Sequence, residues 1–305
     1  MAMSKGLKIV LPMTFTDSSL PVLSNDAILS KGSLLLIDPT HPLETWPTGV
    51  PADNVALPNI AAEFASKLIS GNIGPTLVTA AGMSGGFERT TKGGLHARVG
   101  ATQTAQSGLN MVAPTSIIEY MVANQSHEFY VSMWSYVTTP GTVTSTAEVQ
   151  GQIHRAYNYG GAAYPRGGVF SLGSISSRVE PKDSNRSGFF ADNLNAIGSR
   201  LMAVAGTPNA ASSAADPTMK ASDYTDAQFR ALVSMGPANA ESKYSAVDQA
   251  KRLQSWVLYR LYIEDLTVSG RTFDAVSEID KQLYNKELKS SGGRYYGDTW
   301  TADPA

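Results

Sequence analysis

The sequence predicts a mainly β protein: a sandwich of short strands with an extended N-terminal arm and a few peripheral helices. Three observations predict it. Two long runs, Trp256–Thr272 (WVLYRLYIEDLTVSGRT) and Glu128–Thr138 (EFYVSMWSYVT), are dense in Val, Ile, Tyr and Trp and alternate with the period of an extended chain. Shorter apolar runs recur along the chain, punctuated by its 27 Gly and 16 Pro, which suits many turns between short strands. Helical spacing is confined to a few short segments.

From the N-terminus, apolar pieces at Leu7–Leu11 and Leu34–Ile37 are interrupted by Pro12, Pro21, Pro39, Pro42, Pro47, Pro51 and Pro58. That spacing forbids a long helix or a central strand across it. Residues 1–74 therefore read as a proline-rich arm with a short helix. The arm is either a loop-rich start to the domain or a segment that crosses to another subunit, and Gly32–Asp38 is a strand that can add to a sheet edge. His41 and Trp46 are expected to pack rather than to do chemistry. Pro58–Ser70 predicts the short helix, with Ile60, Phe64 and Leu68 four apart and Gly71 as its stop.

Residues 75–271 read as the sandwich. Thr76–Ala81 and Leu95–Val99 predict strands, and Pro114–Asn124 predicts a helix with Ile117, Tyr120 and Met121 on one face. In Glu128–Thr138, Phe129, Val131, Met133 and Val137 alternate with Tyr130, Ser132, Trp134 and Tyr136, so both faces are expected to be buried. Ile153–Tyr164, Gly168–Ser176 and Ile197–Ala205 predict further strands. Thr207–Ser245 turns rich in Ala, Ser, Asp and Asn and reads as an excursion carrying one helix, Thr225–Met235, with Phe229, Leu232 and Val233 on its face.

Trp256–Thr272 predicts the central strand, with Val257, Tyr259, Leu261 and Ile263 on one face and Trp256, Leu258, Arg260 and Tyr262 on the other. Leu253, Val257 and Leu261 also fall four apart, which leaves a helical alternative open. Residues 272–305 predict a C-terminal helix capped by Thr272 and an irregular aromatic tail; Val276, Ile279, Leu283 and Leu288 recur at helical spacing.

Composition excludes several classes. A net charge of -2 and a charged fraction of 16%, against a typical ~25%, argue against nucleic acid or an anionic membrane as a general partner. No apolar run is long enough for a membrane span and the start lacks the form of a secretory signal, so a soluble chain made in a cytoplasm is expected. The absence of Cys excludes disulfides and thiolate chemistry. The four His, at 41, 96, 127 and 154, never form a His-x-x-x-His pair.

Gly82–Gly86 fits the Gly-x-Ser-x-Gly elbow around Ser84, but Phe87–Gly94 lacks the apolar period of the helix that an elbow needs. Glu264 and Asp265 are adjacent on a strand and point to opposite faces, so they cannot flank one glycosidic bond. Glu119, Glu128 and Glu148 have no evident pairing. No residue is assigned a catalytic role, no cofactor is expected, and calcium finds its only support in Asp183, Asn185, Asp192 and Asn193. The best contact cluster is Tyr157, Tyr159 and Tyr164 with Arg155 and Arg166, among glycines and a proline. Aromatics of this kind either stack on sugar rings or pack in protein interfaces.

The two long strands carry a resemblance. With EFYVSMWSYVT early and Y-R-x-Y-I-E-D-L-x-x-S-G-R-T late, at Tyr259–Thr272, the chain resembles concanavalin A-like (LamG-type) jelly rolls, and the late segment looks like those of proteins encoded by tailed bacteriophages. The likeness spans roughly residues 75–290; the N-terminal arm and the 207–245 excursion depart from it, and no sugar or calcium ligand carries over by position. It implies a noncatalytic virion component of tail, baseplate or fibre, made in the host cytoplasm. The implied partners are other virion proteins and further copies of the chain, with host-surface glycan as a contact. A capsid decoration or collar protein, and a glycan-acting hydrolase of jelly-roll fold, are the alternatives.

Overall fold

A strand that is apolar on both faces has to be covered on both faces, and the centre of this fold is built that way. The computed structural model describes residues 26–43, 46–80, 85–99, 108–140, 153–158, 167–173, 196–207, 209–210, 230–235 and 254–304. In chain order the strands are β1 (Ser33–Ile37), β2 (Thr76–Ala80), β3 (Phe87–Arg89), β4 (Leu95–Ala97), β5 (Gly108–Val112), β6 (Phe129–Thr139), β7 (Ile153–Asn158), β8 (Gly167–Gly173), β9 (Gly198–Gly206), β10 (Asn209–Ala210), β11 (Ala231–Met235) and β12 (Ser255–Asp265). They form two antiparallel six-stranded sheets. The first runs β3-β4-β12-β6-β9, with β1 also on β12, and the second runs β10-β8-β7-β11-β5-β2.

Every residue of β12 is buried, and the strand is central as its composition requires. On one side β6 pairs along its length; on the other, β4 takes Trp256–Leu258 and β1 takes Leu261–Glu264, end to end. The predicted faces of β12 need correction. Leu258 stands opposite Ser135 and Arg260 opposite Trp134, so Tyr259 is an extra residue, a bulge. A bulge shifts the alternation by one: Trp256, Leu258, Leu261 and Ile263 enter the core between the sheets, while Val257, Tyr259 and Tyr262 pack on the outer face. In β6 the expected alternation holds, with Phe129, Val131, Met133 and Val137 inside and Tyr130 and Trp134 outside.

β1 adds to the sheet as its sequence suggests, with all five residues buried. Its other edge is closed by Asn59, whose Oδ1 accepts from Leu36 N–H at 2.9 Å and whose Nδ2 donates to Leu34 O at 3.0 Å. The edge of β2 is likewise covered: Asn54 N–H donates to Leu77 O, Leu57 N–H donates to Pro75 O, and Ala56 bridges Thr76. An open strand edge would invite pairing with other chains.

The predicted helix at Thr225–Met235 is corrected in its second half. Residues 231–235 are β11, inserted between β7 and β5, and 225–229 lie outside the described residues. Ala231 faces Val112 and Val233 faces Met111, so Leu232 is an extra residue there and both Leu232 and Val233 reach the core. Helical spacing and a bulged strand give the same local pattern, and the vacant place in the sheet decides between them.

Helix α1 is a single turn, Ala62–Ala65, shorter than predicted; of the predicted row Ile60 is buried while Phe64 and Leu68 are half-buried, and Ala61, Ala65 and Ile69 are buried beside them. Helix α2 (Thr115–Ala123) lies where expected and buries Ile117, Ile118, Met121 and Val122. After β12 comes a one-turn helix, α3 (Leu266–Ser269), capped by Asp265 and closed by Gly270 at φ 76°, a conformation that glycine adopts without strain. Then α4 (Phe273–Tyr284) begins at the Thr272 cap and runs into a π-helical turn, Asn285–Lys289. Together α3, α4 and the tail after them cover the outer face of the first sheet through Tyr130, Trp134, Tyr262, Val276 and Tyr295.

Candidate functional site

Of the predicted contact cluster, Arg155 and Tyr157 lie on β7, paired with β8, and a register shift falls between Ala156 and Tyr157. Tyr159, Tyr164 and Arg166 lie outside the described residues, as do Asp183, Asn185, Asp192, Asn193, Ser84 and Glu148. After Gly86 the chain enters β3, where the elbow motif would need a helix.

Among the described residues, a concentration of charge lies inside, around Arg260. A guanidinium in the middle of an apolar strand needs counter-charges that are buried with it. Asp26 supplies the first, accepting from Nη1 at 2.9 Å and Nη2 at 2.8 Å. Asp38, directly after β1, accepts from Nη1 at 3.3 Å. The face of Trp134 covers the guanidinium at 4.6 Å, a cation–π contact. Asp38 also accepts from both Nη atoms of Arg294 at 3.0 and 2.8 Å and from Tyr295 hydroxyl at 2.6 Å. Arg294 in turn donates to Glu287. His41 accepts from Leu43 N–H at Nδ1, which turns Nε2 toward Asp26 at 3.2 Å.

The electrostatics follow from this geometry. Burial pushes the Asp26 carboxyl up, but the Arg260 charge and the hydrogen bonds from His41 and Arg260 outweigh it and hold Asp26 well below the usual carboxylate range. Burial lowers Arg260, and Asp26, Asp38 and Asp280 more than reverse that, so it stays charged. Asp280 of α4 packs against the neighbouring strand β6, accepting from Tyr130 hydroxyl at 2.9 Å and Trp134 Nε1 at 2.8 Å. Its burial dominates, and its carboxyl is raised.

Glu264 and Asp265 diverge as predicted. Glu264 accepts from Ser30, Tyr262 and Arg271. Asp265 accepts from Tyr120 hydroxyl at 2.8 Å, faces His127 Nδ1 at 2.7 Å, and caps α3 through Val268 N–H. Each carboxylate ties the end of β12 to a different neighbour. What these groups do chemically is hold the framework: they join residues 26–43, the central strand and the C-terminal tail.

A cleft of about 480 Å³ opens beside the edge of the second sheet. One side is β2 and the end of β5, another is the 70–74 loop, and a third is the first turn of α2 with Glu119 one turn along. Ser116 hydroxyl donates to Asn72 O, Asn72 Oδ1 accepts from Gly74 N–H at 3.0 Å, and Arg230 donates to Ala113 O at 2.8 Å. These bonds fix the walls of the cleft. Sequence reading passed over it because its residues come from four separated stretches, each unremarkable alone. The counter-charges of Arg260 were also passed over, although a charged residue inside an apolar strand is itself the signal that acidic partners exist.

Among the described residues, no His, Asp and Glu gather in a group that could hold a metal ion, and no helix is long and apolar enough to cross a membrane. No family model, curated protein or solved structure matches the chain.

Proposed function

We propose that this chain is a noncatalytic structural component of a tailed-phage particle, its sandwich being a concanavalin A-like jelly roll, associated with tail, baseplate or fibre. On this reading its partners are other virion proteins and further copies of itself, and it touches host-surface glycan. One observation carries the reading. In Tyr259–Thr272, the segment that bears the likeness to phage proteins, the polar side chains bind the framework: Arg260 to Asp26 and Asp38, Glu264 to Arg271, Asp265 and Thr272 to helix N-termini. The likeness therefore tracks the way the body is held together, which is what a family of structural subunits would share.

Mass spectrometry of purified particles, with immunogold labelling to place the chain, tests the proposal, and native mass spectrometry of the isolated protein gives its assembly state. The expected result is a fixed copy number at the tail and an oligomer in solution. A persistent monomer that enters no particle, or a purified protein that cleaves host polysaccharide, would sink the proposal.

A further inference from the structure

The segment 298–304 leaves the body of the protein and then lies back on it. We infer that its seat is a contact surface between copies of this chain, each copy taking the segment of a neighbour. The seat is built on the outer face of the first sheet. Trp300 packs on Tyr136 of β6, with ring centres 4.9 Å apart, and on His96 of β4 at 6.0 Å. Glu88 of β3 accepts from Thr301 N–H at 2.8 Å and from its hydroxyl at 2.6 Å. His96 Nδ1, 2.8 Å from the same carboxylate, holds that carboxylate in place. At the near end Asp298 accepts from Tyr259 hydroxyl at 2.8 Å and from Lys92 N–H at 2.7 Å; at the far end Arg98 donates to Ala302 O at 3.0 Å. A peptide with an acid, an aromatic and a threonine in this order is what the surface reads.

How the segment is held decides where it can come from. Up to Tyr295 the chain is locked: Tyr295 is buried, and with Arg294 it binds the buried carboxylate of Asp38. Gly297 follows at φ 69°, a left-handed turn that glycine makes without strain. Beyond it the grip loosens. Thr299, Thr301 and Ala302 are exposed and Trp300 is half-buried, and polar contacts at such exposed positions each contribute little. Both carboxylate oxygens of Asp303 are enclosed with no hydrogen-bond partner among the described residues, which disfavours the seated position further. The groups that receive the segment, between Glu88 and Arg98, at Tyr136 and at Tyr259, stand far from it in sequence. Their geometry is therefore the same whichever copy supplies it.

In a lone chain the segment returns to its own seat, because a short tether keeps it there at an effective concentration of about 1 mM. Exchange takes over when copies are packed face to face, as in an assembly. From Tyr295 the chain reaches Thr301 over at most about 20 Å, so only copies whose outer faces adjoin can exchange segments. The inference rests on the self-association proposed above and names the surface that makes it. Copies that associate without exchanging this segment overturn the inference and leave the particle role standing.

The test uses the full chain, whose lack of Cys leaves no background thiol. Thr91 and Thr299 hydroxyls meet at 2.9 Å and both residues are exposed, so cysteines there lie within reach of a disulfide. Thr91→Cys and Thr299→Cys chains are mixed at ~1 mM, oxidised with copper phenanthroline and mapped by mass spectrometry for the 91–299 bridge. Native mass spectrometry gives the assembly state separately. The double variant Thr91→Cys/Thr299→Cys, oxidised in dilute solution, should close the bridge within one chain. Glu278→Cys, exposed on α4, replaces Thr91→Cys as the control, and circular dichroism confirms that each variant is folded. The expected result is a mixed 91–299 dimer about tenfold more abundant than the control pair and rising with chain concentration. Adding Trp300→Ala to the Thr299→Cys chain should lower that yield about tenfold. A mixed yield no higher than the control, a yield that Trp300→Ala leaves unchanged, or a double variant that closes no bridge would overturn the inference.

Discussion

Replacing Arg260 by Met separates a clamp that stabilises from a charge that is merely tolerated. Arg260 is fully buried and holds two carboxylates, Asp26 and Asp38, that are themselves almost inaccessible. Met restores most of the volume on the face of Trp134 but leaves both acids without this cation. They are not left equally. Asp38 keeps Arg294 and Tyr295, whereas Asp26 keeps, among the described residues, His41 and Ile28 N–H. Breaking a buried pair by removing one partner costs about 3–5 kcal/mol, and the desolvated cation–π contact adds up to about 2 kcal/mol, partly returned by Met on the ring. The expected loss is about 4 kcal/mol, a large share of an ordinary domain's ~5–15 kcal/mol. Adding Asp26→Asn removes the stranded charge, so the double variant should recover about 2 kcal/mol relative to Arg260→Met. Urea unfolding followed by the fluorescence of Trp134 and Trp256 reads both numbers. A loss under about 1 kcal/mol, or additive effects of the two changes, would refute the idea that Asp26 and Arg260 act as one unit.

Two other outcomes follow from the same geometry. Asn59→Ala deletes buried hydrogen bonds to Leu34, Leu36 and Ala61, so stability should fall by about 3 kcal/mol, with amide exchange accelerating first along β1; unchanged exchange there would contradict its role in closing that edge. Stability should also fall with acid in two limbs. Burial depresses His96 in the fold, with Glu88 only partly opposing it, so the unfolded chain takes up that proton first as pH falls through about 6.5. The contribution of His96 is thus present above that pH and lost below it. Asp26, held low by Arg260, contributes above an unfolded value of about 3.9 and loses that contribution below it. Asp280 is raised and runs the other way. Urea midpoints across pH 7–3 should show His96→Gln flattening the first limb and Asp26→Asn the second; a flat profile in the parent protein would contradict both assignments.

The strands were legible where local pattern and burial agree. β6 reads correctly to the face because every second residue meets the same kind of neighbour, and β12 reads correctly as a central strand because no other environment accepts Trp, Val, Tyr, Leu and Ile on both sides. Thr272 as a helix cap and the divergence of Glu264 from Asp265 were equally local, since each follows from chain geometry over three or four residues. The candidate site was much less legible. Arg155 and Tyr157 stood out by residue type, but the cleft joins side chains that are individually ordinary.

The sequence by itself determined a mainly β chain, the two strands at its centre, a helix after β12 and the exclusion of cysteine chemistry, because periodicity and composition act over short distances. Only the tertiary structure decided that Tyr259 and Leu232 are bulges, that 231–235 is a strand, and that Asp26 and Asp38 answer Arg260 from more than two hundred residues away. A bulge depends on the register of the partner strand and an ion pair on which segments meet in space. Neither is written in the local pattern.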